Sequence, residues 1–318
     1  MSPRLAPSPV LRRLLAVALG AALVVALAVA ALGGRAAAQD EPVERFPEGS
    51  CSRAAVRFGV VVPDGGEGGR AAAQRLATDL GELLACPVEL VLRRDPGELV
   101  AGLALHQIDL AQLDPEALVV ANRVAGIGPI VAYGTGLGEP ARGSAARIWV
   151  TRDGARRLAD LRGGRVALGV PGTAGGDLLP RRALQAAGLR AGAVTGAGDV
   201  RLAPPATTDA EALARVRRGR VDAAVTTGPV ADADARGLRA AWSSPPLLGD
   251  VLAARPGLPS ALRRRLGAAL RALSGVSLLP LARRAGIDQP TGLVSVPLDL
   301  YGPIADALDH LTAAGLRP

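Results

Sequence analysis

From residue 55 onward, short apolar runs alternate with segments whose apolar residues recur at helical spacing. The run AVRFGVVV predicts a strand, and RAAAQRLATDLGELLA predicts an amphipathic helix. DPGELVAGLALHQ and DPEALVVANRV both predict helices that begin at an Asp-Pro pair, and IDLAQL predicts the strand between them. Strands that alternate with helices in this way are typical of an α/β fold with mainly parallel sheets.

The second half of the chain continues this alternation. GPIVAYGTG and ARIWVTRDG predict strands, and WSSPPLLGDVLAARPGLPSALRRRL predicts a strand-like stretch followed by a helix. ELVAGLALHQIDLAQL and ALARVRRGRVDAAVTT share one plan, in which an amphipathic helix, a small turn, an apolar residue and an Asp precede a buried strand. Two equivalent βαβ blocks in one chain predict two similar lobes.

A glycine-rich turn in VALGVPGTAGGDLLPRRALQAAG, residues 166–188, is the main candidate for a binding site. The pattern predicts a strand, a turn and a helix that starts near Gly175. The first N–H groups of such a helix have no acceptor within it and lie at the positive end of its dipole, and Thr173 adds a hydroxyl. This arrangement binds an anionic oxygen group without chemistry. The alternative is a tight turn with an ordinary Thr cap.

The sequence lacks the residues that common catalytic and nucleotide-binding motifs require. The chain has no lysine for a phosphate-binding loop, the turn lacks the Gly-x-Gly-x-x-Gly spacing, and neither Gly-x-Ser-x-Gly nor His-Glu-x-x-His occurs. His106 on a predicted helix and His310 in the predicted last helix favour surface roles. Asp114, Asp177 and Asp209 favour helix-cap or turn roles over a carboxylate pair. We therefore expect no enzyme, no cofactor and no metal.

The basic charge of the chain does not indicate a nucleic-acid partner. All 37 basic residues are arginine and the formal net charge is +8. Arg4, Arg12, Arg13 and Arg35 precede the first acid, so losing them with a targeting segment lowers the charge to about +4. Aromatic residues do not alternate with the basic ones as they do in single-strand binders. A solvated basic face explains the charge better.

The N-terminus predicts export. Arginines precede the apolar run LLAVALGAALVVALAVAALGG, and Ala36 and Ala38 fit the small-x-small rule. We expect residues 1–38 to be a signal peptide cleaved after Ala38 and 39–52 to be a linker, with the protein periplasmic or extracytoplasmic. An uncleaved membrane anchor is the alternative, because the apolar run is long enough to span a bilayer.

The two cysteines of the chain, Cys51 and Cys86, each precede an apolar β-rich run, VRFGVVV and VELVL. If these runs are neighbouring parallel strands, both cysteines lie at one sheet edge. An oxidising compartment permits a disulfide between them. Closing that loop would add on the order of 3–4 kcal/mol to the free energy of unfolding. Metal binding needs more ligands than the chain offers near them.

Four segments, in order and spacing, resemble the phosphate, phosphite and phosphonate-binding proteins of ABC importers: LADLRGGRVALGVPGTAGGDLLPRRALQAAGL, ALARVRRGRVDAAVTT, WSSPPLLGDVLAARPGLPSALRRRL and VPLDLYGPIADAL. The resemblance implies a two-lobed, type II periplasmic-binding-protein fold with a hinge. Lobe 1 would hold 53–140, with 241–318 returning to it, and lobe 2 would hold 141–240. The implied partners are a small-molecule ligand and an ABC permease in the membrane, with no nucleic acid and a monomeric chain.

The resemblance also implies a ligand site at the interface of the lobes. Its residues would be Asp64, Leu113, Asp114, Thr173, Ala174, Gly175, Gly176, Thr208, Asp209, Thr226 and Thr227. The family's run of hydroxyls is reduced here to Thr173, an aromatic position holds Leu113, and Asp209 stands near a position that is often His. We expect a small anionic, phosphonate- or phosphate-like solute. A less charged or amine-bearing solute, or an envelope sensor with a degenerate cleft, are the alternatives.

Overall fold

The computed structural model describes residues 55–62, 67–136, 138–192 and 200–313. The predicted signal peptide and linker, Cys51 and Asp64 lie outside these residues. The described chain forms two six-stranded sheets, each with its own helices. The α/β, two-lobed architecture expected from the sequence is confirmed.

The first sheet has the strand order β12-β4-β11-β3-β1-β2. Its strands come from both ends of the described chain, so the chain leaves this sheet after β4 and returns to it at β11. The parallel strands β1, β2 and β3 form one half, and β11, β4 and β12 add to it in antiparallel fashion. The bounds are β1 Val56–Val61, β2 Val88–Arg93, β3 Leu110–Leu113, β4 Gly128–Gly134, β11 Val251–Ala254 and β12 Gly292–Val294.

The second sheet has the order β10-β5-β9-β6-β8-β7 and is built from the intervening chain. Its strands β9, β6, β8 and β7 are parallel, while β5 and β10 pair in antiparallel fashion. The bounds are β5 Arg142–Thr151, β6 Arg165–Ala167, β7 Ala191–Gly192, β8 Val200–Ala203, β9 Ala223–Thr226 and β10 Leu238–Leu248. Of the ten pairings in the two sheets, five are parallel and five antiparallel, so both sheets are mixed rather than mainly parallel. The antiparallel pairings involve β5 and β10 in the second sheet and β11, β4 and β12 in the first.

Helices cover the sheets at the positions that the apolar spacing predicts. The α-helices are α1 Glu67–Leu84, α2 Pro96–Ala104, α3 Pro115–Ala125, α4 Leu179–Ala186, α5 Asp209–Arg217, α6 Asp232–Ala235, α7 Ser260–Ala272, α8 Gly275–Arg284 and α9 Gly302–Ala313. Short 3₁₀ turns lie at Leu158–Leu161 and Leu298–Tyr301, and a π-helical turn, Ala174–Leu178, leads directly into α4. No helix of these described ranges is long and apolar enough to cross a membrane.

The Asp-Pro helix starts form as predicted. Asp95 caps α2 by accepting the N–H of Glu98 at 3.0 Å, and Asp114 caps α3 by accepting the N–H of Ala117 at 2.6 Å. The prediction that His106 lies on a helix is wrong. The backbone of His106 has a φ of +57°, so α2 ends before it and the side chain is exposed in the following turn.

The two lobes share apolar packing on one side. Leu178 and Leu179, which follow the glycine-rich turn, are buried in one cluster with Ile304 and Leu308 of the last helix and with residues of the first sheet. The C-terminal helix α9 thus contacts the π-helical turn and α4 as well as α3. This packing holds the start of the π-helical turn, at Ala174, beside the first lobe.

Candidate functional site

A cleft of about 300 Å³ lies between residues that follow strands of the two sheets. Its size is that of small-molecule sites. The inter-lobe cleft, as we call it, is lined by Pro115, Glu116, Gly143, Ser144, Ala174, Gly175, Thr227, Gly228, Pro229, Leu247, Leu248, Gly249, Asp250, Ala285, Gly286 and Ile287. A side pocket of about 270 Å³ adjoins it, lined by Gly169, Val170, Thr173, Gly175, Gly176, Ala206, Thr207, Thr208, Asp209, Val225, Thr227 and Leu247.

The glycine-rich turn forms one wall of both cavities. Thr173 precedes the π-helical turn, and its carbonyl accepts the N–H groups of Asp177 and Leu178 at 2.9 and 3.0 Å. Its hydroxyl donates to the carbonyl of Val170 at 2.7 Å and caps no helix N–H. The amides of Gly175 and Gly176 therefore stand in a first helical turn, where helix geometry supplies no acceptor. This part of the site presents hydrogen-bond donors.

The turn is held from behind by a buried ion pair. Asp177 is 1% exposed, accepts the N–H of Gly172 at 2.9 Å and pairs with Arg181 one turn later. Arg181 in turn donates to the carbonyl of Ala191 at 2.7 Å. Asp177 thus has the turn role expected for it, and both charges are used inside the second lobe.

Close packing explains the two glycines. A methyl group on Gly176 would lie 2.5 Å from Oγ1 of Thr173 and 2.9 Å from the amide nitrogen of Val170. A methyl group on Gly175 would lie 2.7 Å from Cδ1 of Leu247. Only glycine lets the chain approach this closely, and it also leaves the amides open to the cavities.

The opposite wall, from the first lobe, is acidic. Glu116 is in the first turn of α3, Asp250 precedes β11, and Asp114 borders a neighbouring pocket together with Asp250. Gln112 donates from Nε2 to Oδ2 of Asp250 at 2.8 Å, and the Tyr133 hydroxyl donates to Oε1 of Gln112 at 3.3 Å. This wall presents acceptors and carboxylic acids.

Burial and mutual repulsion raise the pKa of two of these acids. Desolvation, followed by the charge of Asp114, raises the pKa of Glu116 to about 8. Desolvation raises the pKa of Asp250 to about 6, against a lowering by its hydrogen bond from Gln112. At neutral pH the wall therefore holds less negative charge than its three carboxyl groups suggest.

One hydrogen bond joins the two walls across the cleft. Oε1 of Glu116 accepts the backbone N–H of Ala174, the first residue of the π-helical turn. A carboxyl group of lobe 1 thus occupies a donor that the sequence assigned to the ligand.

Asp209 occupies donors in the same way within the second lobe. Its carboxylate accepts the N–H of Gly228 at 2.6 Å and that of Thr227 at 3.2 Å, at the end of β9. Thr208, one residue earlier, caps α5 by accepting the N–H of Glu211 at 3.1 Å. The two predicted residues therefore border the side pocket, and each has a structural partner.

The cavities bring together most of the predicted site but exclude two residues. Thr173, Ala174, Gly175, Gly176, Thr208, Asp209 and Thr227 line one cavity or the other, and Asp114 lines the neighbouring pocket. Thr226 is fully buried and accepts from Nε1 of Trp149 at 2.9 Å, and Leu113 is 1% exposed in the apolar core. Both are the last residues of strands that are buried along their whole length, β3 and β9, so their side chains lie in the interior and not at the cavities.

Sequence reasoning missed Glu116 and Asp250. Glu116 directly follows the Asp-Pro pair of α3, a position that is ordinarily a solvated acid of a first turn. Asp250 stands between two apolar strands in LLGDV, where a turn role is the default. Only the packing of the two lobes places both acids at the cleft. Over the part of the chain that the structure describes, no lysine or arginine lines the three cavities named here, and no group of His, Cys, Asp and Glu there could hold a metal ion.

Solved structures share this fold. A protein of Xanthomonas citri, XAC2383, bound to chloride ion, is 18% identical with a TM-score of 0.62, covering 80% of this chain and 99% of its own. PhnD1 of Prochlorococcus marinus, in complex with methylphosphonate, is 14% identical with a TM-score of 0.55, covering 81% and 98%. A binding protein component of an ABC phosphonate transporter from Pseudomonas aeruginosa is 18% identical with a TM-score of 0.51, covering 80% and 85%.

No curated protein sequence matches the chain. A family model does: the ABC transporter, phosphonate, periplasmic substrate-binding protein model matches residues 60–291, which include both sheets apart from the first residues of β1 and the whole of β12. The chain therefore belongs to the family of periplasmic substrate-binding proteins of phosphonate ABC transporters.

Proposed function

We propose that the chain is the solute receptor of an ABC importer and that its solute is a small zwitterion. The solute's oxyanion would face the amides of Gly175 and Gly176, and its ammonium group would face Glu116 and Asp250. One observation supports this most: the cleft sets helix N–H groups of one lobe opposite carboxyl groups of the other, and its lining, over the residues whose side chains the structure describes, includes no basic one.

A phosphonate-like group fits the donor wall of this proposal. The side pocket offers the hydroxyl of Thr208 beside the two glycine amides, whereas the hydroxyl of Thr207 already donates to Oε2 of Glu211 at 2.8 Å. A bare phosphate or alkylphosphonate would meet the carboxylate of Asp209 there and the acids of lobe 1 opposite. An ammonium group on the same solute offsets this repulsion, because it gives the buried carboxyl groups a charged partner.

The experiment is calorimetric titration of the purified mature protein with two matched pairs of solutes. The pairs are 2-aminoethylphosphonate with ethylphosphonate, and taurine with ethanesulfonate, so that each pair differs only by the amine. We expect the amine-bearing member of at least one pair to bind at least tenfold more tightly. Equal or tighter binding of the amine-free members contradicts the zwitterion, and then the phosphonate-like anion expected from the sequence stands.

The second candidate is an envelope sensor or interaction protein with a degenerate cleft. It is favoured by the internal carboxylates, because Glu116 and Asp209 accept N–H groups that a solute would otherwise use. Native mass spectrometry of protein purified from its own envelope separates the two candidates. A co-purified small molecule supports transport, whereas an empty chain that also ignores all four solutes supports the sensor.

Capture in this proposal takes place outside the cytoplasm and without catalysis. The chain would be exported by residues 1–38, monomeric, and divided near residues 140 and 240 into two lobes that close on a hinge. Mass spectrometry of the mature protein is expected to find an N-terminus at Gln39. An N-terminus at the start of the chain instead supports the uncleaved anchor.

A disulfide between Cys51 and Cys86 belongs to the same proposal. Strands β1 and β2 are parallel neighbours, with Val56 opposite Val88, so the residues before both strands lie at one sheet edge. Cys86 is buried there at 6% exposure, and the described residues contain no free cysteine. Non-reducing peptide mapping should recover the two cysteines in one linked pair, and free thiols in the exported protein would contradict it.

A further inference from the structure

The bond between Glu116 and Ala174 places a carboxyl group of lobe 1 where a solute's oxyanion would bind. Ala174 is the first residue of the helical segment, and its N–H belongs to the same turn as the amides of Gly175 and Gly176. The N-terminus of a helix favours a negatively charged or strongly accepting group. The side chain of Glu116 is thus an internal occupant of that turn.

Glu116 is also placed to leave the turn when it is offered another partner. Its carboxyl group lies beside Asp114 and faces the cleft together with Asp250. These neighbours are acids, and Arg181 behind the turn is already paired with Asp177. A solute's ammonium group would therefore give Glu116 a cationic partner that the described residues lining the cleft do not provide.

We propose that Glu116 determines specificity as an internal competitor: it holds the amide of Ala174 against amine-free anions and releases it when a solute's ammonium group binds its carboxyl. This inference rests on the proposed function and deepens it. An amine-free anion must displace Glu116 without giving it a partner. A zwitterion gives both partners of this bond a new partner at once. Its oxyanion accepts the N–H of Ala174, and its ammonium group binds the carboxyl of Glu116.

The test compares Glu116→Ala with the unchanged chain, using the same four solutes in calorimetry. We expect the variant to bind ethylphosphonate or ethanesulfonate at least tenfold more tightly and the matching amine-bearing solute at least tenfold more weakly. A merely structural role would lower both affinities together. Glu82→Ala is the matched control, because Glu82 is exposed on α1 far along the chain from the cleft, and it should change neither affinity.

Hydrogen exchange of the Ala174 amide is a second readout that needs no solute. In the unchanged chain the bond to Glu116 protects this N–H, and Glu116→Ala should speed its exchange at least tenfold while Glu82→Ala does not. If Glu116→Ala fails to fold, Glu116→Gln replaces it in the affinity measurement, because Gln preserves the shape and removes the charge. Unchanged exchange of the Ala174 amide overturns the inference.

The outcomes separate this inference from the proposed function. If the unchanged chain prefers the amine-bearing solutes but the variant gains no affinity for amine-free anions, the inference is wrong and the zwitterion receptor stands. If the unchanged chain binds no solute but the variant binds an amine-free anion, the zwitterion proposal is wrong and the competitor role of Glu116 is supported. If neither chain binds any solute, both are wrong.

Discussion

The two βαβ blocks share the same structural hydrogen bonds but differ in the residues that they place at the cleft. Asp95 of the first block and Thr208 of the second both cap a helix, and each accepts the N–H of a glutamate three residues later. In each block an aspartate before the second strand bonds to the backbone of an arginine on the neighbouring strand: Asp109 to Arg57 and Asp222 to Arg165. The two blocks therefore share these backbone-anchoring bonds, although their sequences share few residues.

The ends of the equivalent strands have opposite polarity. In the first block β3 is followed by Asp114, whose side chain is an acid, and by Pro115, which has no amide N–H. In the second block β9 is followed by Thr227 and Gly228, whose two N–H groups are donors. The difference shows that the fold fixes where the two strand ends lie, while the residues after each strand decide what they can bind.

The largest loss of stability is expected when Asp109, the first of the two equivalent aspartates, is replaced. Asp109 is 6% exposed and bonds to Arg57 at 3.1 Å and to Arg255 at 2.8 Å, so Asp109→Ala leaves two cations without their partner. We expect the free energy of unfolding to fall by about 4 kcal/mol. Urea denaturation measures it. A loss equal to that of the second-block variant described last would refute this asymmetry.

The second prediction is that stability depends on pH because of the acids in the first lobe's wall of the cleft, Glu116 and Asp250. The folded pKa of Glu116 is about 8, above its ordinary 4.5, and that of Asp250 is about 6, above 3.8, so the folded chain holds protons that the unfolded chain releases. Stability from these groups is present below about pH 4.5 and is lost as the pH rises to 8.

We expect a loss on the order of 3 kcal/mol between pH 5 and 8. The measurement is urea denaturation across that range. Glu116→Gln should remove most of the slope, and Asp209→Asn, which alters the other wall, should leave it. A stability that rises from pH 5 to 8 would contradict the placement of Glu116.

A smaller effect tests the donor side of the comparison. Gly176→Ala forces a methyl group against Thr173 and the backbone of Val170, which should cost about 2 kcal/mol of unfolding free energy. Gly68→Ala on α1 is the control, because its methyl group meets nothing within 4 Å. Thermal unfolding should show a lower midpoint for the first variant and an equal or higher one for the second. Equal midpoints would mean that the turn tolerates a side chain.

The smallest loss of stability is expected when Asp222, the equivalent aspartate of the second block, is replaced. Asp222 is exposed and accepts the N–H of Arg165 at 2.7 Å. Asp222→Ala should cost about 1 kcal/mol, because water can replace the lost acceptor. Urea denaturation beside the Asp109 variant measures the difference, and a cost near 4 kcal/mol would show that the second block depends on its aspartate as much as the first.

The frame could be predicted from the sequence, and the contacts across the cleft could not. The cap of Asp114 and the start of α3 follow from an Asp-Pro pair, a local signal. The bond between Gln112 and Asp250 joins residues 138 positions apart, and that between Glu116 and Ala174 joins residues 58 apart. These bonds depend on how the returning strand β11 and the second lobe are placed. Local residue patterns do not predict that placement.

The tryptophans give the molecule an optical signal of its own. The chain has two. Trp149 is 8% exposed and held by Thr226 inside the second lobe, while Trp242 on β10 is partly buried against both the cluster that joins the lobes and the core of the second sheet. The emission of Trp242 should therefore change colour when the lobes move, and that of Trp149 should stay constant as an internal reference. Solute capture can be followed in real time without attaching a dye.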